Sequence, residues 1–305
     1  MLQHVISVKQ FVKDKGMLES LLEEAQKLES GAVKSAGGIL KGKIVATLFY
    51  EPSTRTRLSF ESAAQRLGAG IISTENAGEF SSAAKGETLE DSILTINGYA
   101  DAIVLRHPDK GSAYAASQVS AVPIINAGDG IGEHPTQALL DLYSIQQAKS
   151  SIDGLSVALV GDLKNGRTVH SLIQLLALYE VSIYLVSPPQ LALPDEYKKI
   201  LRSAKLKIVE ADDLADVLPN VDVIYMTRIQ KERFSDKAEY ERLKDAFILT
   251  PELMKKAKKD ATVMHPLPRN AEISPEFDSD PRAYYFQQAH HGLYVRMALL
   301  KHLLT

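Results

Sequence analysis

Short runs of β-branched and aliphatic residues alternate with amphipathic stretches along this chain, the pattern of a parallel sheet covered by helices. In the first half, strands are expected at Lys43–Phe49, Ala100–Leu105 and Val122–Asn126, with helices at Thr54–Leu67, Thr88–Tyr99 and Ser112–Val119. A second series of strands is expected at Leu155–Val160, Ser182–Val186, Leu206–Val209, Val221–Met226 and Thr262–Met264. Gly154 and the polar stretch Lys149–Asp153 precede that series and put a boundary near residue 150. The expected fold is α/β, with two doubly wound domains, each a parallel sheet flanked by helices. The first would span residues 1–149 and end in a bridging helix from Pro135 to Gln147; the second would span 150–285. Residues 286–305 read as a C-terminal helix returning to the first domain, with Leu293, Val295, Met297, Leu299 and Leu300 as its apolar surface. The charged stretch 228–245 shows no strand pattern and reads as a surface loop.

A chain of 305 residues exceeds the usual size of one core, and 45% apolar residues suffice for two. Basic and acidic residues, 35 and 38 of them, are mixed to a net charge of −3 without long runs of one sign. That argues against a nucleic-acid groove or an anionic membrane surface, so positive charge must concentrate locally, in a pocket. The absence of cysteine excludes disulfides and thiolate metal sites. The apolar runs are strand-sized, and Met1–Lys15 lacks the apolar core of a signal peptide, so a soluble cytoplasmic protein is expected.

Ser53 sits where a helix cap belongs, after the first strand and Tyr50-Glu51-Pro52. The unpaired N–H groups of a helix start suit phosphate, and Ser53, Thr54 and Arg55 add donors and charge. Arg57 has Glu61 four residues on as an ion-pair partner, whereas Arg55 has only Ser59 there and is freer to meet a ligand. Arg106 and His134 also fall at strand ends, where ligands collect in open α/β sheets. In the second half, Arg167 lies before a helix, and Arg228 and Gln230 follow a strand. Two arginines so placed can clamp a small dicarboxylate; a surface ion pair of Arg167 with Asp162, or of Arg228 with Glu232, is the plainer alternative. His265-Pro266-Leu267-Pro268-Arg269 fixes an irregular turn whose carbonyls could accept bonds from an amide or amine.

Two segments invite other readings. Gly161–Thr168 is one residue from a nucleotide phosphate loop, the signature of a nucleotide hydrolase or kinase, but Arg167 replaces its lysine and Asp162 puts a carboxylate in the turn. Gly128-Asp129-Gly130-Ile131-Gly132 falls short of a dinucleotide fingerprint because Glu133 stands in place of the last glycine.

Ser53-Thr54-Arg55-Thr56-Arg57, Ser81 through Lys85-Gly86-Glu87-Thr88, His134-Pro135-Thr136-Gln137, Gly161–His170, Thr227–Arg233, His265–Arg269 and Phe286-Gln287-Gln288 occur in an order and at intervals that resemble the aspartate carbamoyltransferase family, in the aspartate/ornithine carbamoyltransferase superfamily, over essentially the whole chain. The ornithine branch shares the first motif but typically has His-Cys-Leu-Pro at the position of His265–Pro268, and the Arg228–Arg233 segment also favours aspartate over ornithine. The resemblance implies transfer of the carbamoyl group of carbamoyl phosphate to L-aspartate, in pyrimidine biosynthesis. It implies that Ser53, Thr54, Arg55 and Thr56 hold the phosphate, and that Arg106 reaches phosphate and carbonyl. It further implies that His134 and Thr56 polarise the carbonyl oxygen, and that Gln137 and the carbonyls of Pro266 and Leu267 bind the carbamoyl nitrogen, with Pro268 lining the pocket. Aspartate would bind through Arg167, Arg228 and Gln230, with help from Lys85. No nucleophilic side chain, metal or cofactor is implied. The family's homotrimer, in which a loop carrying Ser81 and Lys85 completes the neighbour's site, is a further expectation; regulatory chains or a dihydroorotase-like partner stay open. The small residues of Phe80–Gly86 fit such a loop. Two departures stand out: Asn165, where the family often has an aromatic residue, and His290-His291, in place of smaller residues.

Overall fold

The computed structural model describes residues 2–33, 36–80, 82–229, 237–243 and 246–305. The expected site residues Ser81 and Gln230 lie outside these. The chain forms two compact units: Met1–Leu140 with His290–Thr305, and Asp141–Ala289.

In the first unit, strands β1 (Ile44–Phe49), β2 (Gly70–Glu75), β3 (Ala102–His107) and β4 (Ile124–Asp129) form a wholly parallel sheet in the order β2-β1-β3-β4. Central strands covered on both faces are continuously apolar, and β1 is buried from Val45 to Phe49. One side of the sheet packs Ala46, Leu48, Ile103, Leu105 and Ile124 against Ile93 and Ala116 of the helices Leu89–Ile96 and Ser112–Val119. The edge strand β2 adds to the expected set; its residues are half-buried or exposed, so its sequence lacks the apolar run that marks the others.

The helix Lys15–Glu29 also lies outside the expectation. Leu18, Leu21, Leu22, Ala25 and Leu28 repeat at helical spacing and are all buried, and Asp14 caps the first turn by accepting from the Met17 N–H at 2.9 Å. The C-terminal helix, Tyr285–Leu304, contributes its part from His290 onward to this unit. There Lys301 pairs with Glu24 at 2.5 Å, His291 lies 3.4 Å from Glu29, and the Arg296 guanidinium sits 5.0 Å over the Phe60 ring.

In the second unit, β5 (Ser156–Val160), β6 (Ser182–Val186), β7 (Lys207–Ala211), β8 (Val223–Met226) and β9 (Thr262–Met264) are parallel in the order β7-β6-β5-β8-β9. One core joins Ala158, Val160, Ile224, Met226 and Val263 with Leu218, Phe247, Leu249, Phe277 and Tyr285. The stretch expected as a loop over 228–245 is corrected in part: Lys237–Leu243 forms a helix. Its charge reflects solvation of the helix, whose described residues are half-buried or exposed, rather than lack of structure.

Candidate active site

In the first unit the chain leaves β1 toward β2 and leaves β3 toward β4, on opposite sides, so the crevice at the carboxyl ends of β1 and β3 is a topological switch point. Ser53–Thr56 follow β1, and Arg106 is the penultimate residue of β3. The two segments are tied directly, the Tyr50 N–H donating to the Arg106 carbonyl at 2.9 Å. Ser53 is the cap residue of the helix Thr54–Arg66, yet its side chain makes no capping bond. Thr54 and Arg55 are exposed and Thr56 is buried.

The two arginines of this turn differ in their partners. Arg57 reaches Glu61 at 3.3 Å and Glu75 at 2.9 Å, and it also donates to Ser73. Arg55 has no hydrogen-bond or ion-pair partner among the described residues. Across the crevice, Arg106 donates from Nη1 to the Ala127 carbonyl at 3.2 Å and lies 3.7 Å from the Glu51 carboxylate. Those contacts hold a half-buried cation at the end of the strand.

The segment after β4 is an anchored loop rather than a dinucleotide turn. The Asp129 carboxylate accepts from the N–H groups of Gly111 at 2.8 Å and Glu133 at 2.6 Å. A Cβ on Gly132 would come within 2.6 Å of that carboxylate and would have to displace it from these bonds. Glu133 in turn accepts from the Ser7 hydroxyl at 2.6 Å and the Val8 N–H at 2.9 Å. The result fixes His134, 5% exposed, at the start of the helix Pro135–Lys149, where its carbonyl accepts from the Gln137 N–H at 3.0 Å. Gln137 is buried beside it. Asp129 and Glu133 were not legible as positioning residues, because Gly111, Ser7 and Val8, which they bind, lie far off in sequence.

Lys85 is exposed at the end of a single 3₁₀ turn, Ser82–Lys85, which packs on the helices Ala77–Phe80 and Leu89–Ile96. Within the segment expected as a loop, Ser82–Lys85 thus forms one 3₁₀ turn. Gly86, at φ +93°, redirects the chain after it.

The second unit has its own switch point, between β5 and β8. Arg167 begins the helix Arg167–Leu176 after β5, and Arg228 follows β8. Gly161, at φ +110°, lets the two ends approach: a Cβ there would stand 2.4 Å from the Thr227 carbonyl. Asp162 is fully buried and accepts from the Asn165 N–H at 2.9 Å and from the Asn165 side-chain amide at 3.1 Å. Burial raises the pKa of this carboxyl against the opposing Asn165 bonds. A turn wound around a carboxylate cannot cradle phosphate, which removes the nucleotide-loop reading of Gly161–Thr168.

The turn after β9 is held from several sides. Leu267 sits at φ +56° and is followed by a cis peptide to Pro268. Its N–H donates to Nδ1 of His265 at 2.8 Å, and Nε2 of that ring bonds Glu272 at 2.8 Å. The His265 N–H donates to Gln288, which donates at 2.6 Å to the buried Asp141. Asp141 also accepts from the Tyr225 hydroxyl at 2.7 Å, and the Thr168 hydroxyl bonds the same phenol. Burial first and Asp141 second push the Tyr225 pKa far up, keeping it a neutral donor. A chain of hydrogen bonds thus runs from the residue beside Arg167 to the turn at Pro266.

Among the described residues, no three His, Cys, Asp or Glu side chains gather to hold a metal ion. No helix there is long and apolar enough to cross a membrane.

Comparison with known proteins bears on both units. Residues 3–147 match the family described as aspartate/ornithine carbamoyltransferase, carbamoyl-P binding domain, and residues 153–303 match its Asp/Orn binding domain. The aspartate carbamoyltransferase catalytic subunit of Methanococcoides burtonii is 52% identical over 97% of this chain and 96% of its own length. The multifunctional protein pyr1-3 of Dictyostelium discoideum is 52% identical over 98% of this chain, which spans 13% of that longer protein. Among solved structures, the catalytic subunit of M. jannaschii aspartate transcarbamoylase superposes with a TM-score of 0.92 at 49% identity, over 99% of this chain and 98% of the other. With both family domains matched in order across two parallel α/β units, the chain belongs to the aspartate/ornithine carbamoyltransferase family.

Proposed function

We propose that this chain works as an aspartate carbamoyltransferase through the residues placed above. The reaction is carbamoyl phosphate plus L-aspartate giving N-carbamoyl-L-aspartate and phosphate, a step of pyrimidine biosynthesis. The observation that carries the residue assignment is Arg55, exposed and without a partner among the described residues in the first turn of the helix that follows β1, while Arg57, two positions on, is paired with Glu61 and Glu75.

In this reading the domain of residues 1–149 binds carbamoyl phosphate and that of residues 150–285 binds aspartate. Ser53, Thr54, Arg55 and Thr56 hold the phosphate with hydroxyls, charge and the first-turn amides. Arg106 and His134 meet the carbonyl oxygen, where negative charge grows as the aspartate amine adds to the carbon. Gln137 and the carbonyls of Pro266 and Leu267 take the carbamoyl –NH2 group, and Pro268 shapes its pocket. Arg167, Arg228 and Gln230 clamp the two carboxylates of aspartate, a task suited to paired donors. The C–N bond forms, the bond from carbon to the phosphate oxygen breaks, and the proton shed by nitrogen leaves with a base such as the departing phosphate. Fixed donors and cations suffice for each step.

The reading includes a homotrimer in which Ser81 and Lys85 act in the neighbouring chain's site, and a cytoplasmic setting suited to small anionic reactants. The test of the activity is phosphate release from carbamoyl phosphate, dependent on L-aspartate. Release dependent on ornithine, or ATP hydrolysis without carbamoyl transfer, would overturn it.

A further inference from the structure

The segment Pro266-Leu267-Pro268 has one N–H group, that of Leu267, since proline has none. That donor is turned inward, onto Nδ1 of His265 at 2.8 Å. A ring nitrogen that accepts carries no proton, so His265 is the Nε2–H tautomer, and Nε2 donates to Glu272 at 2.8 Å. Glu272 is buried and also accepts the Asn270 N–H on both oxygens, at 3.1 Å each. Its carboxyl, which burial alone would push up, is held below the ordinary range by the His265 bond and the other donors. It therefore stays an anion, an acceptor only, and dictates which imidazole nitrogen bears the proton. The carbonyls of Pro266 and Leu267 accept no bond among the described residues. A leucine at φ +56° occupies a sparsely populated backbone region, and its N–H is tied to His265 in that conformation.

We propose that His265 and Glu272 are a positioning pair for carbamoyl recognition, fixing the turn so that it presents two acceptors and no donor to the substrate's –NH2 group. The pair acts through the backbone and touches no reacting atom. It serves as a selectivity device: a surface of carbonyls alone rewards an –NH2 group and gives nothing to a methyl of the same size. Acetyl phosphate, which differs from carbamoyl phosphate by that exchange, is the probe. The inference rests on the reading that these carbonyls hold the carbamoyl nitrogen.

The test compares dissociation constants of carbamoyl phosphate and acetyl phosphate for the parent chain, His265→Gln and His265→Asn. Glutamine can keep a donor near Glu272 but has no acceptor at the Nδ1 position. Asparagine keeps an acceptor there, two residues before the Leu267 N–H, and gives up the reach to Glu272. The expected result is a parent preference for carbamoyl phosphate that falls at least tenfold in His265→Gln, through carbamoyl phosphate alone, and clearly less in His265→Asn. Equal preferences in both variants and the parent would overturn the positioning role, as would a fall in thermal midpoint with the preference intact. A parent without preference would instead overturn the assignment of the carbonyls, and the proposal with it. Should His265→Gln fail to fold, Glu272→Gln is the second arm. Its amide can face the imidazole with oxygen or nitrogen, so the tautomer is no longer dictated and the preference should fall part of the way. A preference equal to the parent's would count against the pair.

Discussion

The guanidinium of Arg57 bonds the Glu75 carboxylate at 2.9 Å, joining the helix Thr54–Arg66 to the edge strand β2. Two positions earlier, Arg55 lacks such a tie among the described residues. Substitution should therefore separate the two arginines. Arg57→Ala is expected to lower stability by about 1 kcal/mol, since its pairs are only partly shielded, with little direct effect on ligand affinity. Arg55→Ala should leave the thermal midpoint nearly unchanged and weaken carbamoyl phosphate by about 2 kcal/mol, roughly thirtyfold in Kd. Calorimetric titration beside a melting curve reads both; a ligand effect confined to Arg57→Ala would reverse the assignment.

How much of this was legible in the sequence depends on separation along the chain. Strands buried on both faces announced themselves as apolar runs, and the residues that follow them, Ser53 to Thr56, Arg167 and Arg228, were found because sheets place ligands at strand ends. Even the contest between Arg55 and Arg57 was readable, because Glu61 lies one helical turn from Arg57. Strand β2 was not, because an edge strand need not be apolar. Nor was the support of the site: Asp141 and Gln288 are 147 residues apart, and Glu133 finds Ser7 across 126. A buried aspartate in a helix reads from sequence as an ordinary polar residue until its partners are known.

His134 should act on the chemical step rather than on folding. Its backbone position is set by Asp129 and Glu133, which hold the preceding loop without using the imidazole. His134→Ala is expected to fold and to lose about 10²–10³ in kcat, the usual loss when one donor to a developing oxyanion is removed. Single-turnover rates at saturating substrates would check it, and an unchanged rate in a folded variant would remove His134 from the mechanism.

His291 predicts a pH dependence of stability. It is 2% exposed beside Glu29, and burial lowers its pKa below the ordinary 6.5, with Glu29 opposing and His290 adding to the shift. A depressed histidine means that the unfolded chain takes up the proton first, so stability falls as pH drops through 6.5 toward the folded value. His170, lowered by burial in the second unit, acts in the same direction. Replacing His291 with glutamine should flatten, without abolishing, the loss of urea midpoint between about pH 7.5 and 5.5. Parallel midpoint curves for parent and variant would show that His291 does not contribute.

Lys85 also bears on assembly. The lysine is exposed on a 3₁₀ turn and has no partner among the described residues. Most lysines so placed are solvated surface charges, and on that view Lys85→Ala would be nearly silent. A cation brought to a site that binds a phosphate and two carboxylates would have a different effect, since its charge offsets theirs where water is excluded. Under the proposed homotrimer, Lys85 serves the site whose Arg55 belongs to the adjacent chain. Lys85→Ala and Arg55→Ala should then each lose most activity alone when carbamoyl phosphate is kept well below the weakened Kd. Mixing the two after dissociation and reassembly should restore activity, because some interfaces in the hybrids join an intact Arg55 to an intact Lys85. If both residues served one chain's site, every site in every hybrid would lack one of them and activity would stay at the level of the separate variants. Hybrids that assemble, as seen by native mass spectrometry, yet remain inactive would rule out donation between chains; a fully active monomer would rule out the shared site altogether.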